Sequence, residues 1–247
     1  MYLVKMRPEE IKDAVNRGVP AIMAAGVVEY HGPHLPVGTD AIIASTIVEE
    51  VEKRCECVVL PHFPFGPTLS WAGSPEDGEI DFDPEALYVY AKEVFKNIMA
   101  IGFKRIYVLQ HHQGSEGLQA LTLRRAAAEL LREKARSWKP GWGRGEEKEL
   151  PPANFWRWIT VAYIDTFSKY AEGEGPIPCG HAGKGETQLM MRCTPEAVKM
   201  TALETQDGHI PRWLKDAGDA TPEEGAKWLE FCVQGWLKEL RRSDLPK

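Results

Sequence analysis

The chain has 247 residues, a length that suits one large α/β domain spanning residues 1–247. Its formal net charge of -6 argues against a nucleic-acid surface, because such a surface needs clustered lysine and arginine. No stretch reaches the ~20 apolar residues of a membrane helix, and the first residues do not resemble a secretion signal. We therefore expect a cytoplasmic protein that acts on a small molecule.

Hydrophobic patterning predicts strands and helices in alternation along the chain. Apolar runs predict strands at 21–28, 57–61, 105–110 and 155–163, and periodic apolar positions predict helices at 8–17, 41–54, 84–101, 116–134 and 221–240. Such alternation is typical of an α/β fold with a mainly parallel sheet. A glycine-, proline- and charge-rich insertion at 139–152 is predicted to be a surface loop.

The first chemical motif is the strand-to-helix loop at 29–40. Glu29 and His31 lie two apart at the predicted strand end, so both are expected to project to one face. Glycines and prolines then return the chain to Asp40, which supplies a third ligand-type oxygen. The alternative is that Asp40 only caps the helix, His34 bonds to backbone and Glu29 is solvated.

Two further motifs follow the third and fourth strands. His111 and His112 stand at the carboxyl end of the third strand, which is the sheet edge where ligands bind in open α/β folds. In the segment 179–191, Glu186 is expected one turn into a helix and facing the same pocket. His181 is the candidate acid/base, because imidazole titrates near neutral pH. The alternatives are a surface or supporting role for His111, a backbone-bonded His181 and a solvated Glu186.

The long segment after the second strand carries Trp71, which is a candidate wall or lid of the site, with a packed core tryptophan as the alternative. The chain has five cysteines, an odd and scattered set that predicts reduced structural thiols rather than disulfides. Cys179 lies close to His181, so a weak case for a nucleophile remains.

The string from Glu29 to Asp40 closely resembles the signature of the creatininase (creatinine amidohydrolase) family, which usually reads E-Q-H-G-P-H-L-P-L-G-T-D. The segment 179–191 resembles the family's H-A-G-x-x-E-T-S-L-M-L element. The segment around His112 resembles N-G-H-G-G-N only in part, and Gly114 stands where some creatininases carry a metal-binding glutamate. Gly180 stands where creatininase itself has a glutamate, so the substrate is expected to differ from creatinine.

This resemblance implies a three-layer α/β/α fold, homo-oligomers that are often hexamers, and two divalent metal ions bridged by Asp40. The ions would be of the Zn, Mn or Fe type. The predicted metal ligands are Glu29, His31, Asp40, His112 and Glu186. The predicted catalytic residue is His181, and the predicted substrate-binding residues are Trp71, His111 and His34.

The predicted activity is metal-dependent hydrolysis of an amide C–N bond in a small cyclic substrate, with His181 passing a proton to the leaving nitrogen. Three alternatives stay open from the sequence. They are a ring-opening hydrolase of an inositol-derived cyclic diketone, a deformylase or peptide-trimming enzyme in cofactor biosynthesis, and a non-catalytic metal-binding module.

Overall fold

The computed structural model describes residues 1–138, 155–170, 177, 180–204 and 211–243. The insertion predicted at 139–152 and the residues Cys179 and His209 lie outside the described residues. The strands are β1 Ala21–Ala25, β2 Val58–Val59, β3 Ile106–Gln110 and β4 Ile159–Tyr163. The α-helices are α1 Pro8–Asn16, α2 Thr39–Glu52, α3 Pro84–Ile101, α4 Leu118–Ser137, α5 Lys184–Cys193, α6 Thr201–Glu204 and α7 Pro222–Leu240.

The four strands form one parallel sheet in the order β2-β1-β3-β4. The chain passes from β1 to β2 on one side and then returns past β1 to add β3 on the other side. The strand order therefore reverses between β1 and β3. In open parallel sheets this switch point is where the loops beyond the strands part and leave a crevice for ligands.

Helices cover both faces of the sheet, which confirms the predicted three-layer α/β/α architecture. One buried cluster joins α2, α5 and α7 to strand residues such as Ile22 and Leu109. The other joins α1, α3 and α4 to the alternate strand residues, such as Met23 and Val108. Because successive strand residues point to opposite faces, the continuous apolar runs of β1 and β3 supply both layers.

The ends of two strands differ from the predictions. β1 ends at Ala25, so Glu29 and His31 lie in irregular backbone, and the prediction that they share a strand face is wrong. A Cβ at Gly26 would lie 2.5 Å from the Ala41 backbone nitrogen, so the chain here runs directly against the start of α2. The predicted strand at 155–163 begins only at Ile159, because residues 155–157 form a 3-10 turn.

The described helices include none that is long and apolar enough to cross a membrane. α3 and α7 begin as their sequences predict, each with proline in the first turn. The Asp83 carboxylate caps α3 by accepting from two backbone N–H groups, and the Thr221 hydroxyl caps α7 by accepting from Glu224.

The partly buried position of His62 leads us to expect a loss of folding stability in mild acid. Its Nδ1 accepts the Ala24 backbone N–H at 2.8 Å, and burial lowers the pKa of His62. A lowered folded-state pKa gives stability that is present above the unfolded value of about 6.5 and is lost as the pH falls through the folded value. We expect urea unfolding in EDTA to show wild type losing more stability than His62→Gln between pH 7.5 and pH 5. Equal losses in the two proteins would contradict this account.

Candidate metal centre and active site

Three segments converge beyond the carboxyl ends of β1 and β3. The loop after β1 brings Glu29 and His31, and the first turn of α2 brings Asp40. His111 and His112 follow β3 directly, and Glu186 lies in the first turn of α5. The side chains of Glu29, His31 and Asp40 are at most 1% exposed, so three chain segments meet in a buried polar cluster.

Asp40 divides this cluster into two groups, which we call the inner and outer clusters. The inner cluster is His31, Asp40 and Glu186. His31 Nε2 lies 3.5 Å from Asp40 Oδ1 and 3.5 Å from Glu186 Oε2. The three ligand atoms lie within 4.8 Å of one another, so a single ion could contact them all.

The outer cluster is Glu29, Asp40 and His112. His112 Nδ1 lies 2.9 Å from Asp40 Oδ2 and 3.3 Å from Glu29 Oε2. Asp40 thus faces the inner cluster with Oδ1 and the outer cluster with Oδ2. Glu29 and His31 also form a third group with His181, whose Nδ1 lies 3.6 Å from Glu29 Oε2.

Backbone carbonyls orient the imidazoles of both clusters. His31 Nδ1 lies 2.9 Å from the Glu29 carbonyl oxygen, and His112 Nε2 lies 3.0 Å from the Pro67 carbonyl oxygen. A carbonyl only accepts, so these nitrogens carry the proton and donate. The other nitrogen of each ring faces the carboxylates, and once it is deprotonated it can offer its lone pair to a metal ion, as a metal-ligating histidine does.

Several buried polar atoms of the clusters have no hydrogen-bond partner in the described part of the chain. They are Glu29 Oε1, His31 Nε2, Asp40 Oδ1 and both ring nitrogens of His111. Buried polar groups are almost always paired, so orphans gathered at one point indicate a missing common partner. Nitrogen and carboxylate ligands of this kind fit Zn²⁺, Mn²⁺ or Fe²⁺, and the residues present therefore fit the divalent ions that the sequence predicts.

The electrostatics of the site also call for positive charge. Burial lowers the pKa of His31, but Asp40 and Glu186 raise it more, so that the pKa is about 10. Burial likewise lowers the pKa of His112, and bonds to Asp40 and Glu29 raise it to about 10. Burial raises the pKa of Asp40, but the two imidazoles hold it well below its usual value. Without a cation the carboxylates therefore retain protons on the imidazoles, and a bound cation would replace those protons.

His181 lies beside the outer cluster between two aromatic rings. Its ring centroid is 4.9 Å from that of Trp71 and 5.0 Å from that of Trp213. His181 Nε2 lies 2.6 Å from the Tyr30 carbonyl oxygen and donates to it, so Nδ1 is the free nitrogen facing Glu29. The structure thus brings the predicted acid/base and the predicted wall residue together.

The segment that carries Trp71 is held by the buried carboxylate of Glu79 and the exposed carboxylate of Asp81. Glu79 accepts from the Thr68 hydroxyl at 2.7 Å and from the Tyr30 backbone N–H at 3.3 Å. Asp81 accepts from the Thr68 backbone N–H at 2.9 Å. These contacts anchor the segment that carries Trp71 at the edge of the site.

A cavity of about 410 Å³ opens on the outer cluster. Its lining is formed by the residues Glu29, Asp40, Trp71, His112, Gln113, Gly114, Tyr163, Gly180, His181 and Glu186. Backbone strain is concentrated at this edge, because Leu69, Ser70, Gln113 and Ala182 have positive φ angles. Trp71 is 53% exposed, so it borders the cavity and solvent together.

The structure places His34 and His111 behind this lining. His34 is buried, and its Nε2 lies 2.9 Å from the Thr187 hydroxyl of α5. Burial and the neighbouring His31 lower the pKa of His34 to about 4. His111 is 2% exposed. Neither residue is among the described lining residues of the cavity, and their contact with substrate stays a prediction.

Sequence reasoning missed two aromatic residues at the site. Trp213 contacts His181 from the 3-10 turn Arg212–Leu214, and Tyr163 at the end of β4 lies against His111 with ring centroids 5.4 Å apart. The position of Tyr163 at the carboxyl end of a strand was a usable signal. Trp213 offered none, because only the folded chain brings it to residue 181.

The fold and the site together define an α/β protein with a cluster of carboxylates and imidazoles that fits divalent metal at the switch point of its sheet. The family model described as creatinine amidohydrolase matches residues 4–240. The chain therefore belongs to the creatininase family and is a metal-dependent hydrolase, as its motifs predict.

Known proteins differ in how much of the chain they match. Creatinine amidohydrolase of Pseudomonas putida is 21% identical over 245 residues, which cover 91% of this chain and 90% of that protein. A mycofactocin precursor peptide peptidase of Mycobacterium tuberculosis is 31% identical over 146 residues, which cover 54% of this chain and 55% of the relative. The solved structures of creatininase with Mn and of a Zn-Zn type both superpose with a TM-score of 0.75. The Mn structure is 20% identical and covers 99% of both chains. The Zn-Zn structure is 19% identical and covers 99% of this chain and 98% of its own. At these identities the likenesses establish the fold.

Proposed function

We propose that this protein hydrolyses the amide C–N bond of a small substrate at a site for two divalent metal ions. The observation that carries the proposal is Asp40, whose two carboxylate oxygens face two separate ligand clusters at the floor of one cavity. A carboxylate in this position suits a bridge between two ions. Solved relatives with Mn and with a Zn-Zn site support the choice of metals.

Bound ions of this type lower the pKa of a water molecule and polarise a carbonyl oxygen. The chain's own part is to hold the ligands in fixed orientations, through the Glu29 and Pro67 carbonyls, and to manage the proton. His181 keeps one nitrogen on the Tyr30 carbonyl and has the other free at the cavity. We assign it the transfer of a proton to the leaving nitrogen.

A peptide-trimming reaction is the second candidate, and the peptidase relative supports it. Both reactions break an amide bond, so the same residues serve either. Ring opening of an inositol-derived diketone has no support beyond the sequence and stays a prediction. The homo-oligomer and the cytoplasmic location also stay predictions. Light scattering would measure whether the oligomer is a hexamer.

A substrate panel tests this proposal. The protein is stripped with chelator, reloaded with Mn²⁺ or Zn²⁺, and assayed on creatinine, N-formyl amino acids, short peptides and an inosose-type diketone. We expect metal-dependent turnover of at least one amide or peptide and poor turnover of creatinine, since Gly180 replaces the glutamate of creatininase. If the diketone is the only substrate that is turned over, the proposed amide hydrolysis is rejected.

His181→Gln tests the proton-transfer role separately. We expect kcat to fall by about 10²–10⁴-fold, the usual contribution of a positioned acid or base, while both metal ions remain bound. His62→Gln, which changes a histidine outside the site, is the matched control and should retain turnover. Loss of a metal ion from His181→Gln would instead make His181 a ligand, which the group of Glu29, His31 and His181 makes geometrically possible.

A further inference from the structure

His111 also borders the inner cluster. Its Nε2 lies 3.2 Å from Glu186 Oε1 and 3.6 Å from Asp40 Oδ1. Despite the shorter distance, neither ring nitrogen of His111 has a hydrogen-bond partner among the residues that the structure describes. The ring is 2% exposed and packs against Tyr163. A buried imidazole that is close to two carboxylates but bonded to neither needs a partner that they share.

The distances match those between ligands of one metal ion. Zinc bonds to nitrogen and oxygen measure about 2.0–2.2 Å, so the corners of a tetrahedral site are about 3.3–3.6 Å apart. His31 Nε2 lies 3.5 Å from one oxygen of each carboxylate, and His111 Nε2 lies 3.6 Å and 3.2 Å from one oxygen of each. Asp40 uses Oδ1 toward both rings, whereas Glu186 turns Oε2 to His31 and Oε1 to His111.

We propose that His111 is a fourth protein ligand of the inner metal ion. The family's usual N-G-H-G-G-N element has glycine at the position of His111, so it has no side chain for this role. This inference rests on the proposed function, because it needs a metal in the inner cluster. It replaces the predicted contact of His111 with substrate by a contact with metal.

The inference gives the two clusters different roles. Four protein ligands, of which Glu186 can offer both oxygens, would fill the coordination shell of the inner ion. A filled shell is typical of structural sites, whereas catalytic sites keep a position open. The outer cluster has three protein ligands, and all three line the cavity. His31 and His111 are absent from the described lining. The substrate would therefore meet the outer ion, and the inner ion would hold Asp40 and Glu186 in place.

Cobalt spectroscopy of His111→Cys tests this assignment directly. A thiolate bound to Co²⁺ gives a near-ultraviolet charge-transfer band, which appears only on direct coordination. We expect the band in Co²⁺-loaded His111→Cys and its absence from wild type and from His34→Cys, a matched buried position three residues from His31. The native cysteines are common to all three proteins, so their contribution cancels in difference spectra.

The outcomes separate this inference from the proposed function. Two bound Co²⁺ ions in His111→Cys without the band, together with a His111 Nε2–zinc separation that excludes a bond in Zn²⁺-loaded wild type, would overturn the role of His111 and leave the two-ion hydrolase intact. Wild type that binds fewer than two ions would overturn the two-ion site itself. If His111→Cys does not fold, a crystal structure of the Zn²⁺-loaded wild type decides. His111 Nε2 at about 2.0–2.1 Å from zinc supports the assignment, and a separation that excludes a bond overturns it.

Discussion

Asp40→Ala is expected to remove most bound metal and to lower kcat/KM by more than about 10³-fold, because one residue supplies both clusters. Substituting any other predicted ligand touches one cluster, whereas this change removes an oxygen from each. His31 and His112 would also lose the carboxylate that most raises the pKa of each. Metal analysis after dialysis and a steady-state assay measure the two effects.

Glu49→Ala is the matched control for this change, since Glu49 is an exposed carboxylate on the same helix. It should keep two metal ions and full activity. His112→Ala should lose the outer ion and retain the inner one. Full retention of metal by both Asp40→Ala and His112→Ala would contradict the assignment of the centre.

Gly225→Ala is expected to cost about 3 kcal/mol or more of folding free energy, at the upper end of overpacking effects. A Cβ at this position in α7 would lie 1.8 Å from the Gln188 carbonyl oxygen and 2.5 Å from its carbon. Both contacts are to the backbone of α5, so no side chain can rotate away. α7 must move relative to the helix that carries Glu186, and we expect weaker metal binding with the lower stability.

Gly218→Ala provides the comparison, because a Cβ there meets nothing within 4 Å. Its effect should stay within about 0.5 kcal/mol, as for ordinary surface changes. Urea unfolding of the metal-free proteins measures both variants without the contribution of bound ions. Equal stability of the two variants would show that α5 and α7 separate easily.

The sequence predicts the fold well where one physical signal dominates. Buried apolar runs and helical periodicity locate β3, α3 and α7 to within one or two residues, and Asp83 and Gly102 mark the ends of α3 as predicted. Strand ends are less certain, because side chains alone do not reveal where the ladder stops. β1 ends at Ala25 because Gly26 packs against the start of α2.

The sequence predicts which residues form the site better than it predicts how their side chains are arranged. Motif order and the sheet edge place Glu29, Asp40 and Glu186 together, and the structure brings them into one buried cluster. The orientation of His112 toward Asp40 depends on the carbonyl of Pro67, which comes from a different loop. Such contacts follow from tertiary structure, and neither spacing nor periodicity predicts them.

The residues that depart from the family pattern are the ones whose roles the structure refines most. The Glu79 and Asp81 contacts anchor the segment that carries Trp71, and Gly180 lines the cavity with open space where a side chain would stand. His111 lies toward the inner cluster rather than toward the cavity. Substrate choice is therefore expected to depend on Trp71 and Gly180, and metal retention on His111.

The most direct test of the two-ion hydrolase is a titration of metal-free protein with Mn²⁺ or Zn²⁺, in which bound metal and turnover of the best substrate in the panel are measured together. We predict no turnover without metal and a rise that reaches its plateau at two equivalents per chain. Full turnover in the metal-free protein, or a plateau at one equivalent, would contradict it.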